Sequence, residues 1–439
     1  MPTITSFEVA DVRFPTSLQA DGSDAMNKDG DYSATYVTLH TDGTDAAGKE
    51  LRGYGITFTI GRGNDIVCMA ARELAQRLVG RDVNAMVNDM GGTYLSFSED
   101  SQMRWLGPEK GVVHLALSAV MNAAWDLAGR LAGKPVWRLL AEMPPEQLVD
   151  IADLRYLSDV LPRERALEIL QDAAPTRGER IAQLEAQGYP AYTTAAGWLG
   201  YSDEKMVRII GEQEKLGFTA VKLKVGGSID DDIRRCRLAR ETIGPDRPLM
   251  IDANQVWDVP TAIDWVGHLA QFDLKWIEEP TSPDDILGHK KIRDAVAPIG
   301  VATGEHCHNR VMFKQFLESG AMDYCQVDAG RLASLNEILA VLLLAKHFDV
   351  PVCPHAGGVG LCEMVHHASM LDYVAVSGSW DRNITEYVDN LHEHFVNPVK
   401  VANGRYQVTG DPGYNTEMFT ESIAEFSFPD GTYWAGTRN

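Results

Sequence analysis

Short apolar runs alternate with amphipathic helical stretches from about residue 190 to about residue 378. Each run is bounded by turn-forming residues, and apolar residues at helical spacing follow before the next run begins. Parallel strands joined by helices produce this alternation, and eight such units in series favour a closed (β/α) barrel. The predicted strands are 189–195, 220–225, 248–254, 274–280, 298–306, 323–329, 351–357 and 373–378.

The first 150 residues follow a different pattern. Strand-like alternation at 4–14, 36–43 and 53–61 surrounds a polar, turn-rich stretch at 16–33, which predicts a loop projecting from a small sheet. Helical spacing is clearest over 111–140, where Gly133 and Pro135 interrupt it. We therefore predict an N-terminal α+β unit of about 150 residues, followed by the α/β barrel.

Composition narrows the class of protein. The chain has 439 residues, of which 45% are hydrophobic, enough for a large core and two or three domains. No signal-peptide pattern is present, and apolar segments such as 338–345 are too short to span a bilayer, so we expect a soluble, cytoplasmic protein. The six cysteines form no C-x-x-C pair, and we interpret them as reduced core residues.

The formal charge is −22, with a pI near 4.9. So acidic a surface repels phosphate backbones and anionic lipids, which excludes nucleic-acid and membrane binding as a main task. An anionic substrate would need lysines or a metal ion to bind it.

Ionisable residues stand at the C-terminal ends of six predicted strands. Successive members are separated by 28, 26, 27, 23 and 27 positions, the length of one strand–helix unit, so we expect them to meet at the C-terminal mouth of the barrel. Any one of them could instead be a helix N-cap or a loop residue; six in phase favour a site. They are Lys224, Asp252, Glu278, Glu305, Asp328 and His355.

Three of the six are carboxylates from consecutive strands. Asp252, Glu278 and Glu305 would repel one another unless a cation lay among them, and oxygen ligands suit Mg²⁺. Glu279 follows Glu278 and should point to the opposite side of its strand, so we rank it below Glu278 as a ligand.

Lys222 and Lys224 point to one face of their strand because side chains alternate with period two. Lysines at this spacing also protect edge strands from aggregation. Beside a metal site, however, a neighbouring ammonium and a divalent cation both disfavour a charged lysine. We therefore predict that Lys224, nearer the mouth, is partly neutral and acts as a general base.

His355 and Asp328 end neighbouring strands on the other side of the barrel. An aspartate beside a histidine fixes its tautomer and stabilises its protonated form, so we predict a catalytic dyad. A base, a metal and a dyad together suit proton abstraction next to a carboxylate, with stabilisation of the resulting enediolate.

The motifs that contain these residues resemble, at these intervals, the enolase superfamily in its mandelate-racemase-like branch. They are K-x-K, "DAN", "IEEP", "GE", "D" and "PHAGG". Within that branch the chain most closely resembles the L-fuconate dehydratases. The segments that carry this narrower resemblance are 21–27, 58–65, 104–112, 189–205 and 278–289.

The resemblance implies a modified (β/α) barrel, 151–395, an α+β capping domain, 1–150, and a C-terminal segment, 396–439, that returns to the cap. It also implies Mg²⁺ as cofactor and a homo-oligomer. Glu386 would donate a hydrogen bond to the substrate carboxylate, for which a crowded anionic site would raise its pKa. Many relatives carry a Gly-Gly pair where this chain has Ala333 and Ser334, so the substrate range is open.

The expected reaction is dehydration of a six-carbon sugar acid to a 2-keto-3-deoxy acid. The loop 16–33 and the segment around Trp198 are candidates for contacting the distal carbons, although the "DGSD" of the loop could be a plain polar turn. A racemase or epimerase acting on the same site, or a sugar-acid-binding protein without turnover, remains an alternative. The predicted substrate-binding residues are Asp24, Tyr32, Trp198, Lys222, Asn254 and His306.

Overall fold

The computed structural model describes residues 2–107 and 109–437. Its strands are β1 Ile4–Arg13, β2 Ser33–Thr44, β3 Glu50–Thr59, β4 Tyr189–Thr193, β5 Val221–Lys224, β6 Leu249–Asp252, β7 Leu274–Glu278, β8 Gly300–Thr303, β9 Tyr324–Cys325, β10 Thr385–Tyr387, β11 Val401–Ala402 and β12 Arg405–Tyr406.

The α-helices before the barrel are α1 Asn64–Gln76, α2 Val83–Asn88, α3 Met90–Ser98, α4 Met103–Leu106, α5 Gly111–Ala132, α6 Val136–Ala141, α7 Pro145–Ile151, α8 Arg163–Ala173 and α9 Arg177–Gln187. Those of the barrel and C-terminal segment are α10 Asp203–Lys215, α11 Ile229–Ile243, α12 Val259–Leu269, α13 Ile286–Val296, α14 Arg310–Glu318, α15 Leu335–His347, α16 Leu361–Leu371, α17 Thr420–Phe426 and α18 Thr432–Thr437.

The cap is a three-stranded antiparallel sheet, β1-β2-β3, covered by α5. The helix lies so close to β3 that a Cβ on Gly55 would stand 2.1 Å from the carbonyl oxygen of Ala119. Helix α5, unlike the shorter apolar segments noted above, is long and apolar enough to cross a membrane, but 78% of its apolar window is buried inside the protein. It is therefore the core helix of the cap.

The barrel is built from parallel strands in the order β4 to β9. Val352 forms a parallel bridge to Cys325 of β9, and β10 pairs with β4 and closes the ring. Seven helices, α10 to α16, lie between these eight strand positions within the fully described range 189–387. The predicted barrel with its α+β cap is confirmed.

The predicted eighth strand was wrong. Residues 373–377 belong to a π-helical turn, Asp372–Ser377, that continues α16, and the strand that closes the barrel is β10. A short apolar run has the same periodicity in a buried helix as in a buried strand, and this one packs against α8, α9 and α15.

Polar side chains at the C-terminal end of the barrel cap the N-termini of several of the outer helices. Ser202, Asp258, Asp285 and Asn309 each accept backbone N–H groups in the first turn of the helix that follows. These caps fix where each strand–helix loop ends, so the strand ends on the same rim are held in place.

The C-terminal segment contacts both parts of the protein. The hairpin β11–β12 adds to β4 in antiparallel orientation, whereas Tyr414 N–H donates to Asp126 of α5 at 2.7 Å. Met418 N–H donates to the Tyr36 hydroxyl of β2 at 2.9 Å. The six cysteines are buried and unbridged, as expected of core thiols.

Candidate active site

The register of the barrel brings the predicted site residues to one height. Lys224 of β5 is the Cα partner of Asp252 of β6, and Asp252 is the partner of Glu278 of β7. Val221, Leu223 and Val225 face the surrounding helices and join their apolar core. Because neighbouring strands are in register, side chains at these positions project into the barrel side by side.

The carboxylates of Asp252, Glu278 and Glu305 are buried, and one oxygen of each lies within 4.8 Å of the others. Burial raises the pKa of Glu278 to about 8 and that of Glu305 to about 7, and neighbouring carboxylates contribute to both shifts. Glu305 Oε2 and Asn254 Oδ1 are buried without a hydrogen-bond partner. This excess of buried oxygen atoms and negative charge fits a divalent cation bound by oxygen ligands.

Lys222 lies below this group and joins it to Glu386. Its fully buried ammonium contacts Glu278, Glu386 Oε1 at 2.9 Å and Asp252 Oδ2 at 3.6 Å. Burial opposes the charge on Lys222, but the surrounding carboxylates outweigh that effect and raise its pKa.

Lys224 donates to Asp252 Oδ2 at 2.5 Å. Burial lowers the pKa of Lys224, yet the charge of Asp252 dominates. The ammonium of Lys222 lowers it as expected, without changing the outcome. The pKa of Lys224 is therefore raised by the protein side chains, whereas the expectation of a partly neutral lysine also relied on a divalent cation and stays a prediction.

Glu279 departs from the predicted alternation. Strand β7 ends at Glu278, and Glu279 has a left-handed backbone with φ of 43°. Its buried carboxylate lies 2.8 Å from His306 Nδ1, and one of its oxygens is within 4.8 Å of a carboxylate oxygen of Glu305. Glu279 therefore lies beside Glu305 although it follows Glu278 directly, because the period-two rule stops where the strand stops, and its lower rank as a ligand stays a prediction.

The predicted dyad is present. His355 Nδ1 lies 2.6 Å from Asp328 Oδ2, while Asp328 Oδ1 accepts the N–H groups of Gly330 and Arg331, each at 2.7 Å. Burial disfavours the imidazolium, but Glu305 and Asp328 outweigh it and raise the pKa of His355 to about 10. A protonated His355 can donate a proton, as a general acid must.

The pKa of Glu386 is lowered rather than raised, contrary to the expectation of a protonated side chain. Burial raises its pKa, but Lys222 and His355 lower it further than burial raises it. Its oxygens accept from Lys222, from the Thr194 hydroxyl and from Ala356 N–H at 2.8 Å. Cations, rather than carboxylates, are its nearest charged neighbours.

A cavity of about 230 Å³ opens above these groups, and Lys224 and His355 both line it. The predicted substrate-binding residues Asp24, Tyr32, Trp198, Asn254 and His306 also line it. Lys222, the remaining one, is fully buried and is not on the cavity wall.

The loop 16–33 therefore closes one side of the site. Asp24 accepts the N–H groups of Met26 and Asn27 at 2.7 and 2.6 Å, so it forms a polar turn and lines the cavity as well. Tyr201 donates to Asp21, and Leu199 N–H donates to Ser23 O, which ties the loop to the segment after β4.

Sequence reasoning missed several lining residues. Arg331 follows Asp328 by three positions and donates from Nε to Glu305 O at 3.1 Å. Its closeness to the dyad was a usable signal. Asn27, Phe58 and Arg62 come from the cap, and no spacing along the chain relates them to the barrel.

An α+β cap over a (β/α) barrel, with three acids, two lysines and an Asp–His pair at its mouth, defines a member of the enolase superfamily, and the chain belongs to that family. A family model described as "Enolase C-terminal domain-like" matches residues 205–422.

The relatives make the comparison more specific. Mitochondrial enolase superfamily member 1 of Homo sapiens is 52% identical over 98% of this chain and 97% of its own length. Its crystal structure has a TM-score of 0.97, covering 99% of this chain and 98% of that one. L-galactonate dehydratase of Hypocrea jecorina is 51% identical over 98% of this chain and 96% of its own length.

A more distant structure shares the fold. L-talarate dehydratase from Polaromonas sp. JS666, crystallised with Mg and L-glucarate, is 21% identical, with a TM-score of 0.71 over 97% of this chain and 98% of that chain.

Proposed function

We propose that this protein dehydrates six-carbon aldonic acids to 2-keto-3-deoxy acids, with L-fuconate as the first candidate substrate and Mg²⁺ as the cofactor. One observation carries the proposal: Lys224 and the His355–Asp328 pair line the same small cavity, beside three buried carboxylates that fit a divalent cation. The relative named L-galactonate dehydratase supports this substrate class.

L-fuconate and L-galactonate are close in structure. L-fuconate is 6-deoxy-L-galactonate, so the two acids share their configuration from C2 to C5 and differ only in the hydroxyl at C6. The resemblance of the segments quoted above favours L-fuconate, whereas the 51% identical relative favours L-galactonate. We expect turnover of both, since the chemistry occurs at C2 and C3.

Asp252, Glu278 and Glu305 would hold the metal ion. Bound Mg²⁺ would withdraw electrons from the substrate carboxylate and so acidify the proton at C2. In the proposed reaction Lys224 takes that proton; a cation held by Asp252, its partner at 2.5 Å, would favour the neutral lysine that this step needs. The electron pair enters the carboxylate to form the enediolate.

His355 completes the elimination. Its proton passes to the 3-hydroxyl as the C3–O bond breaks, so water leaves and an enol remains, which tautomerises to the 2-keto acid. Asp328 holds the imidazole by its Nδ1, and Nε2, which lies 3.2 Å from Gly357 N and 3.4 Å from Glu305 Oε2, would deliver the proton to the substrate. We assign Glu386 to positioning, because it accepts hydrogen bonds from Lys222 and from Ala356.

The test is a screen of the purified protein with Mg²⁺ against aldonic acids, detecting 2-keto acids as semicarbazones. L-fuconate and L-galactonate should give product, and their C2 and C3 epimers much less. Lys224→Ala and His355→Asn should lose turnover while keeping the fold and Mg²⁺ binding. Normal turnover in either variant would contradict its assigned role.

Running the reaction in D₂O separates this proposal from its alternatives. Dehydration gives a 3-deoxy product that carries solvent deuterium at C3. Exchange of the C2 proton without loss of water would instead indicate a racemase or epimerase. Binding of the acid without exchange or product would indicate a sugar-acid-binding protein.

Three further features are part of the proposal. The domain bounds are 1–150 for the cap, 151–395 for the barrel and 396–439 for the C-terminal segment. The protein assembles as a homo-oligomer, and it acts in the cytoplasm.

A further inference from the structure

The cap binds the loop that carries the dyad aspartate. Asp328 begins this loop, 328–334, and Thr57 of β3 donates its hydroxyl to Gly330 O at 2.6 Å. Ser118 of α5 donates to Ala329 O at 3.1 Å. The cap thus contacts the backbone within two residues of the carboxylate that orients His355.

Asn122 of α5 is the centre of this contact. Its Nδ2 donates to Ala329 O and to Ile56 O, each at 3.0 Å, and its Oδ1 accepts the Ser334 hydroxyl at 2.6 Å. The amide is fully buried, and both of its polar atoms have partners. A buried amide with satisfied partners holds them in one arrangement, because losing any of these bonds leaves a polar group unpaired.

Ser334 is the second fixed point. Its backbone has φ of 69°, in the left-handed region that favours glycine, and the side chain is fully buried. Such a conformation persists only when surrounding contacts enforce it. The hydroxyl bond to Asn122 is one such contact, and Ala333 N–H, which donates to Glu337 Oε2 at 3.0 Å, anchors the neighbouring position.

We propose that Asn122 is a positioning residue: through it the cap holds the loop 328–334 so that Asp328 sets the orientation of His355. The inference rests on the proposed function, because His355 needs this orientation to act as the acid. A small displacement of a catalytic group is costly, and about 1 Å can lower turnover by roughly 10²-fold.

The experiment compares two buried amides that join the cap to the barrel. Asn122→Ala removes the bonds to the dyad loop. Asn336→Ala is the matched control: Asn336 is fully buried, and its side chain accepts from Trp125 Nε1 at 3.0 Å and donates to Ile151 O at 3.0 Å and Met90 O at 3.3 Å, all outside the loop 328–334. Ser334→Gly is a milder variant, which relieves the backbone strain and removes the hydroxyl bond to Asn122.

We expect Asn122→Ala to lower kcat by about 10- to 100-fold with KM changed by less than about threefold, and Ser334→Gly to lower kcat in the same direction. Asn336→Ala should lower the melting temperature comparably but keep kcat within about threefold of wild type. Equal losses of kcat in Asn122→Ala and Asn336→Ala, or none in Asn122→Ala and Ser334→Gly, would overturn the proposal.

A spectroscopic measurement separates this inference from the proposed function. The proton between His355 and Asp328 gives an NMR resonance that can be assigned by its absence in His355→Asn. We expect it to shift or broaden in Ser334→Gly and Asn122→Ala and to stay unchanged in Asn336→Ala, even if the wild-type protein dehydrates none of the acids. An unchanged resonance in all three variants would overturn the positioning role.

Discussion

Glu337 of α15 is a buried carboxylate between the cap and the barrel, and its charge should be worth several kcal/mol of stability. Glu337 Oε2 lies 2.7 Å from His114 Nε2 of α5, and Glu337 Oε1 accepts the backbone N–H of Arg310 at 2.9 Å. It is fully buried. Burial alone would raise the pKa of Glu337, but His114 and Arg310 outweigh it and lower the pKa to about 2.

The ordinary pKa of a glutamate is 4.5, so the shift spans more than two units. At about 1.4 kcal/mol per unit, the ionised side chain contributes roughly 3 kcal/mol to the free energy of unfolding at neutral pH. We expect Glu337→Gln to lose about this amount at pH 7. Because the folded pKa is depressed, the contribution is complete above pH 4.5 and disappears as the pH falls toward 2.

Urea unfolding of wild type and Glu337→Gln at several pH values measures this difference. Glu421→Gln on the exposed face of α17 is the control, and it should change stability by less than about 0.5 kcal/mol. A loss below about 1 kcal/mol for Glu337→Gln at pH 7 would refute the reasoning, as would a loss that stays constant as the pH falls below 4.5.

Two other outcomes can be measured on the same protein. Mg²⁺ at 100 times its Kd should stabilise the wild type by about 2.7 kcal/mol, or roughly 3 °C in Tm for cooperative unfolding of a chain of this length. The Glu305→Gln variant should lose most of this Mg²⁺-induced rise in Tm. An equal rise in the variant and in the wild type would contradict Glu305 as a metal ligand. His392 lies 2.7 Å from Glu363, and although burial opposes its charge, the carboxylate raises its pKa to about 9. The stability that this pair contributes should be complete below pH 6.5 and should decline as the pH rises through 9. The Glu363→Gln variant should lose this pH dependence. If its stability still declined over the same pH range, the pairing would be contradicted.

The periodic features of the chain were predictable without coordinates. Repeated strand–helix units determine a barrel, and the spacing of Lys224, Asp252 and Glu278 determines that they share a height, which the strand register confirms. Alternation along β5 likewise places Lys222 and Lys224 on one face. These properties are local, because each follows from a period of two or from the length of one unit.

Only the tertiary structure decided where the periodic rules end. Residues 373–377 are helical because they pack among helices, which the run itself does not encode. Glu279 lies next to His306 and Glu305 where β7 stops and the backbone becomes left-handed. The pKa of Glu386 is lowered because Lys222 and His355, both distant in sequence, lie beside it.

The contribution of the cap was also invisible along the chain. Asn122 meets Ser334 across more than 200 positions, and Tyr32 and Phe58 line a cavity whose reactive groups all come from the barrel. Burial and charge at a site depend on which segments pack together, and that depends on the whole fold. The sequence by itself therefore determined the type of site, whereas the tertiary structure decided its protonation states and the surface that a substrate contacts.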